Sequence, residues 1–197
     1  MEFRDVVRRR RMVRSFTTEP IDRDARDRIL WALQRGPSAG FSQGFGFLVL
    51  EGDDARRFWE LAWPSRERRG PHVGTTNAPL VIVPCADKGV YLDRYAEPDK
   101  GWSDRDESRW PVPYWIIDTA FASMLALLAV VDEGLGALFF GLQREPAVRE
   151  AFGIPEDVQP IGAIAVGHPA EDRPSPSLQR GRRPHLVRIG RWEPPGP

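Results

Sequence analysis

The sequence predicts an α+β domain built on a largely antiparallel sheet. Two observations predict it. Strand-like and helix-like segments follow one another without the regular alternation that builds a parallel sheet. One segment, Trp115 to Glu133, is apolar on nearly all sides and must therefore be buried on nearly all sides. In a domain of 197 residues, an interface between two copies is a natural place for such a helix.

The elements read as follows. Residues 2–11 form a short helix with Phe3, Val6 and Val7 on one face. Met12 to Phe16 is extended chain, and Thr18-Glu19-Pro20 breaks the pattern. Asp22 can cap a helix running to about Arg35, with Ile29, Leu30 and Leu33 inward. Gly36 to Gly40 is a loop. Phe45 to Leu50 is a strand, Asp53 starts another helix, and Leu80 to Val83 is a second strand behind Pro79. Residues 87–113 carry many charges, with Tyr91, Tyr95, Trp102 and Trp110 interspersed. A loop this long is functional or disordered, and the aromatics favour an ordered flap over a substrate. The apolar helix follows, closed by Gly134. Leu138 to Leu142 is a strand, and Glu145 to Phe152 is a helix ended by Gly153-Ile154-Pro155. Ile161 to Val166 is a strand stopped by Gly167 and Pro169, residues 169–184 are a Pro-rich arm, and Leu186 to Trp192 is a last strand. The chain thus reads as one domain over 1–197, with a flap at about 87–113 and a C-terminal arm at about 169–197.

Composition excludes several functions. The formal net charge is zero, so no global basic field attracts nucleic acid or an acidic membrane. Ile116 to Val131 is broken by Asp118 and is short for a membrane span. The Arg-rich start lacks the apolar core of a secretory signal, and cytoplasm is the expectation. Cys85 is the single cysteine, which rules out an intrachain disulfide or a thiolate zinc cage within one chain. It ends an apolar strand, as a buried structural thiol does. His72, His168 and His185 lack metal-ligand spacing, and no GxSxG motif is present. Asp118, inside the apolar helix, reads as a cap or a buried hydrogen-bond acceptor.

Four constellations could carry chemistry. In Arg10-Arg11-Met12-Val13-Arg14-Ser15-Phe16, the period of two in extended chain points Arg10 and Arg14 the same way. Two readings are open: an arginine site for phosphate, or a solvated basic face with Val13 and Phe16 in the core. Pro37-Ser38-Ala39-Gly40-Phe41-Ser42-Gln43 is either a plain turn or a loop that a flat ligand can approach closely, with hydroxyls and an amide for ring heteroatoms. Gly134-Leu135-Gly136-Ala137 leads from a helix into a strand. It is not a dinucleotide fingerprint, which opens a helix after a strand. A backbone N–H near Gly141 could face a ligand. Arg180-Gly181-Arg182-Arg183-Pro184 either completes an anion clamp or is a flexible basic tail.

In this order, these segments resemble the nitroreductase family of flavoproteins. The matching stretches are Arg10 to Phe16, Pro37 to Phe45, the apolar helix ending in Gly134 to Ala137, Gly153 to Asp157, Val166-Gly167-His168-Pro169, and Arg182-Arg183-Pro184 with Trp192. The resemblance implies an intertwined homodimer with FMN at the interface and no metal. It implies that Arg10, Arg11 and Arg14, joined by Arg182 or Arg183, take the phosphate. Pro37, Ser38 and Ala39 would line the flavin from the partner subunit, and Phe140 and Gly141 would lie beside the ring. The implied activity is NAD(P)H-dependent reduction of a small acceptor such as a nitro compound or quinone, by a ping-pong hydride transfer. The flavin carries the chemistry, so no catalytic acid–base pair is expected. Three departures bear on this. Met12 stands where a small hydroxyl residue is usual, Phe41 where asparagine is usual, and Gly44-Phe45 where Pro-Trp is usual. The Gly-Phe-x-Gln loop is similar to that of branches near the flavin-fragmenting dimethylbenzimidazole synthase. A dehalogenase, an enone reductase or a non-enzymatic flavin- or anion-binding module are the alternatives.

Overall fold

The computed structural model describes residues 1–63, 73–171, 175–181 and 187–191. Eleven main elements follow in chain order: α1 (Phe3–Arg9), α2 (Arg23–Leu33), β1 (Phe45–Glu51), α3 (Gly52–Ala62), β2 (Leu80–Asp87), α4 (Lys88–Ala96), α5 (Tyr114–Asp132), β3 (Gly136–Phe140), α6 (Glu145–Phe152), β4 (Val158–Pro160) and β5 (Ala163–Gly167). The strands form one sheet in the order β1-β2-β5-β3, with β4 also paired to β2. Every strand pair is antiparallel, as expected.

The sheet separates two cores by the period-two rule of strands. On one face, Val81, Val83, Cys85, Ala163 and Ala165 pack with Phe58 and Trp59 of α3 and Val148 of α6. On the other, Leu80, Ile82, Ile164 and Val166 pack with Ile29 and Leu33 of α2 and with Ala126, Leu127 and Val130 of α5. Pro84 sits inside the buried strand β2, where a missing N–H is ordinarily costly. It falls in the gap between the residues that pair with β5 (Leu80–Ile82) and those that pair with β4 (Cys85–Asp87). The Asp22 side chain caps α2 by accepting from the amides of Asp24 and Ala25. Gly134 and Gly153 close α5 and α6 with positive φ of 74° and 66°.

α5 is 19 residues long and apolar enough to cross a membrane by length and composition alone. Its residues Trp115, Asp118, Thr119, Ala122, Ser123, Ala126, Leu127 and Val130 recur at three- and four-residue steps and are buried against the sheet, α2 and, at Trp115 and Asp118, Tyr91 of α4. Thr119 and Ser123 return their hydroxyls to the carbonyls of Trp115 and Thr119 at 2.6 and 2.7 Å, so the helix satisfies its own buried hydroxyls. Its outer face is left open by the described residues. Phe121 and Met124 are 51% and 45% exposed there.

Several boundaries differ from those read in the sequence. α1 stops at Arg9, because Arg10 takes an extended ψ of 117°. β2 continues past Val83 to Asp87, and β4 is a three-residue strand ending in a proline, too short to leave a pattern. β3 lies two residues earlier than expected, and β5 begins at Ala163 because Gly162, at φ 151°, interrupts the ladder. The stretch 87–113 is not a loop throughout. It opens with α4, capped by the Asp87 side chain on the Val90 amide. Of the expected last strand, residues 187–191 are described and form no strand, and Leu186 and Trp192 lie outside the described residues.

Candidate active site

The two readings of the arginine segment divide between alternate residues. After α1 the chain extends, Met12 bridges Ala137, and the Val13 amide donates to the Ala137 carbonyl at 2.9 Å. Val13 and Phe16 are buried in the core. The close approach requires glycine at 136, where a Cβ would fall 2.9–3.0 Å from the Val13 side chain. Arg10 and Arg11 are left beside a cleft whose floor is Leu127, Val131 and the backbone of Gly134 to Ala137. Arg14 is half-buried, with its guanidinium 3.4 Å from the Met12 carbonyl. Met12 sends its thioether inward, where it accepts from the Phe139 amide at 3.5 Å. That position therefore serves packing, where a hydroxyl could have served an anion.

The loop after α2 starts from a tight contact. A Cβ on Gly36 would stand 2.6 Å from the Ala122 Cβ, so the chain leaves α2 pressed against α5. Ser38 and Ser42 spend their hydroxyls inside the loop, on the Gln43 amide (3.0 Å) and the Ala39 carbonyl (2.6 Å). Phe41 and Gln43 both have φ of 55°. For a bulky residue this is a rare conformation, and asparagine tolerates it far better. The Phe41 ring is nonetheless 77% exposed. Gly44 explains one departure from the family pattern. A Cβ there would meet the Tyr91 ring at 2.5 Å, so Tyr91 excludes proline from this position.

At the far end of β3, Phe140 stacks on Trp59 with centroids 5.7 Å apart and planes 17° apart. Gly141 follows with no heavy atom within 4 Å of a would-be Cβ. Together with Trp63 and Leu142 these residues line an open recess.

The four flap aromatics come together, but not as a free surface. Tyr91 is fully buried and Trp110 is 8% exposed. Tyr95 lies 4.4 Å from Trp110 and 5.0 Å from Trp102 between ring centroids. The Tyr91 hydroxyl donates to Asp118 Oδ2 at 2.8 Å, and burial and that bond together hold its proton far more tightly than usual. Asp118 is thus a buried acceptor, the second of the two roles read for it. Arg182, Arg183, His72 and His185 lie outside the described residues. His168 stands 3.9 Å from Glu19. Among the described residues no three metal-ligating side chains cluster. Burial pushes the Cys85 thiol up to about 11, which suits a structural residue.

Apart from the Phe140–Gly141 recess at the far end of β3, these parts fall into two groups. Asp118 lies under the Pro37–Phe41 loop, whereas Leu127 and Val131 of the same helix flank the arginines. Asp118 and Val131 are separated by thirteen residues of α5, about 20 Å at the usual rise per residue. One group offers cations for a phosphate, and the other offers a strained loop with an exposed ring. FMN, the group implied by the resemblance, fits this donor set as two half-sites at opposite ends of one helix. The sequence had not shown what holds the loop. Its anchors are Asp118 and Arg94, and Arg94 lies on a helix that the charges of 87–113 concealed. The spacing of Tyr91 and Tyr95, one helical turn apart behind a capping Asp87, was the available signal.

Comparison with known proteins identifies the family and the fold. The sequence profile of the Nitroreductase family matches residues 7–168. A protein of Methanothermobacter thermautotrophicus named for NADH dehydrogenase/NAD(P)H nitroreductase is 29% identical over 190 residues, covering 94% of this chain and 87% of the relative. The fold superposes on NfrA1 of B. megaterium with a TM-score of 0.74 at 21% identity, over 98% of this chain and 76% of that one. It superposes on the nitroreductase CinD of Lactococcus lactis, solved with nicotinic acid, with a TM-score of 0.70 at 21% identity, over 91% of this chain and 97% of that one. With the arginine segment, the apolar helix and the antiparallel sheet all inside the matched region, the chain belongs to the nitroreductase family of oxidoreductase enzymes.

Proposed function

We propose that this protein is an FMN-dependent oxidoreductase that oxidises NAD(P)H and reduces a small aromatic or conjugated acceptor, working as a homodimer in the cytoplasm. The observation that carries the reading is the division of the site along α5. The loop stands at one end of α5 and the arginines at the other, so each supports half of a flavin site. A second copy placed so that each end of α5 meets the opposite end of its partner would complete two such sites. The apolar outer face with Phe121 and Met124 supports that pairing, as does the exposure of Phe3 and Val7 on the neighbouring α1.

Bound FMN would supply the acceptance of hydride and its onward transfer, which no side chain of this chain offers. The residues would do the rest. Arg10, Arg11 and Arg14 would bind the phosphate with charge-assisted bonds, with Arg182 and Arg183 as further candidates. Pro37, Ser38, Ala39 and Phe41 would bound the ring from the partner. Phe140 would form an apolar wall, and Gly141, lacking a side chain, would leave the ring edge open to substrate. The flap would choose the acceptor through its exposed outer parts, since Tyr91 and Trp110 are committed to packing. Nicotinic acid bound to CinD, and 4-nitrophenol in a second structure of that protein, are ligands of the expected size and flatness.

The test is the visible spectrum of the purified protein, followed by addition of NADPH or NADH without oxygen. Bound flavin that bleaches is expected. Colourless protein that also refuses added FMN would overturn the reading and leave a non-enzymatic anion-binding module.

A further inference from the structure

The loop that carries Phe41 is held from two sides, by a buried carboxylate and by a half-buried arginine. Asp118 is 3% exposed, and its Oδ2 accepts from both the Ala39 amide and the Tyr91 hydroxyl, each at 2.8 Å. A carboxylate in a core is costly unless such donors surround it, and an apolar residue would fill the same space without that cost. One residue further along the loop, the Gly40 carbonyl accepts from Arg94 Nε at 3.0 Å. Arg94 is itself fixed by a two-pronged pair with Asp99, at 2.7 and 2.8 Å. The Tyr95 ring fills the space beside Gly40, where a Cβ would come within 2.7 Å. The next residue is Phe41, with its positive φ and its ring turned out to solvent. Left to itself, the chain at Phe41 would relax out of this conformation, so the surrounding bonds must over-determine it.

We propose that Asp118, Tyr91 and Arg94 are positioning residues that clamp Ala39 and Gly40 between α5 and α4 and so hold the Phe41 ring ready to lie against a flavin bound by the partner subunit. The proposal rests on the flavin reading given above. It also ties the flap to the site. Tyr91, Arg94 and Tyr95 all belong to α4, so a displacement of α4 reaches Phe41 through one carbonyl and one carboxylate.

The test uses the full-length protein and three variants: Asp118→Ala, Asp118→Asn and Arg94→Ala. FMN affinity is read from quenching of flavin fluorescence, and exchange of the Ala39 amide is read in the FMN-free protein. Asp118→Ala and Arg94→Ala are each expected to weaken FMN about tenfold, the ratio that loss of one hydrogen bond to a charged group corresponds to. Asp118→Asn keeps an acceptor oxygen and is expected to recover most of the loss. The Ala39 amide is expected to exchange at least about tenfold faster in Asp118→Ala at unchanged global protection. Arg94 is half-buried and outside the main core, so Arg94→Ala carries the test if Asp118→Ala does not fold. Folded variants that bind FMN within twofold of wild type would overturn the clamp. So would an Ala39 amide that stays protected in Asp118→Ala. Wild-type protein that binds no FMN would instead sink the flavin reading on which the clamp rests, and the exchange measurement would still report whether the bond to Asp118 holds the loop.

Discussion

Gly36→Ala should destabilise the protein, and a second substitution should relieve part of the loss. The added Cβ would stand 2.6 Å from the Ala122 Cβ, 2.9 Å from its Cα and 3.1 Å from its amide nitrogen. Two of these three atoms are backbone of a buried helix, so no side chain can swing aside. Either α5 or the end of α2 must move by several tenths of an ångström. Overpacking of this kind costs about 1–3 kcal/mol. Ala122→Gly alone costs about 1 kcal/mol in helix propensity and about 0.8 kcal/mol for the buried methyl. Independent effects would put the double variant at roughly the sum of the two singles. Instead the new methyl at 36 occupies part of the space vacated at 122 while the backbone contacts remain, and the double variant should be about 1 kcal/mol more stable than that sum implies. Urea unfolding of the four proteins measures the cycle. Additivity within about 0.5 kcal/mol, or a Gly36→Ala protein as stable as wild type, would show that the contact is not as close as described.

Arg10→Ala should weaken FMN binding by about tenfold or more, since charge-assisted phosphate bonds are the strong class; titration by fluorescence quenching checks it, and unchanged affinity would move the phosphate elsewhere. Phe121→Glu combined with Met124→Glu should yield a folded monomer in sedimentation, because each charge would otherwise be buried against the other copy; a persistent dimer would place the interface off α5. Cys85 should resist thiol reagents at pH 8 in the native protein and react after unfolding, because its thiol is pushed up from 9.0 to about 11 by burial. The same shift sets a pH trend. Between about 9 and 11 the native state keeps a proton that the unfolded chain has released, so stability should fall as pH rises through that window, and Tyr91 acts with the same sign. Urea midpoints at pH 8 and pH 10 that coincide would contradict it.

Much of this architecture is legible in the sequence where local chemistry decides the outcome. Asp22 announces α2 because its side chain caps the first turn, and Gly134 and Gly153 end helices because each adopts a positive φ. The apolar run of α5 leaves no choice but burial. Elements decided by distant partners are less legible. β4 exists because it can pair with Cys85 to Asp87, and nothing within Val158 to Pro160 reveals that. α4 was hidden because Gly89 and its charges resemble a loop, and its helical form depends on aromatic packing around Trp110. The site shows the same division. The arginines and the small-residue loop could be named from their types and order. That they lie at opposite ends of one helix is a property of the fold, and so is the buried carboxylate that joins the loop to α4.

The position of α5 between the two half-sites turns its length into a specification. An insertion of one turn within it would shift the loop against the arginines by about 5.4 Å. In the two-copy arrangement proposed here, both sites would lose register together. The turn between Trp102 and Trp110 joins no such pair of points, and its length can vary so long as Asp99, Trp102 and Trp110 keep their contacts with α4. Divergence in this chain's lineage is therefore expected to lengthen and shorten that turn while leaving the residue count of α5 untouched, and chimaeras that exchange only the turn should keep their flavin where chimaeras with altered α5 lengths lose it.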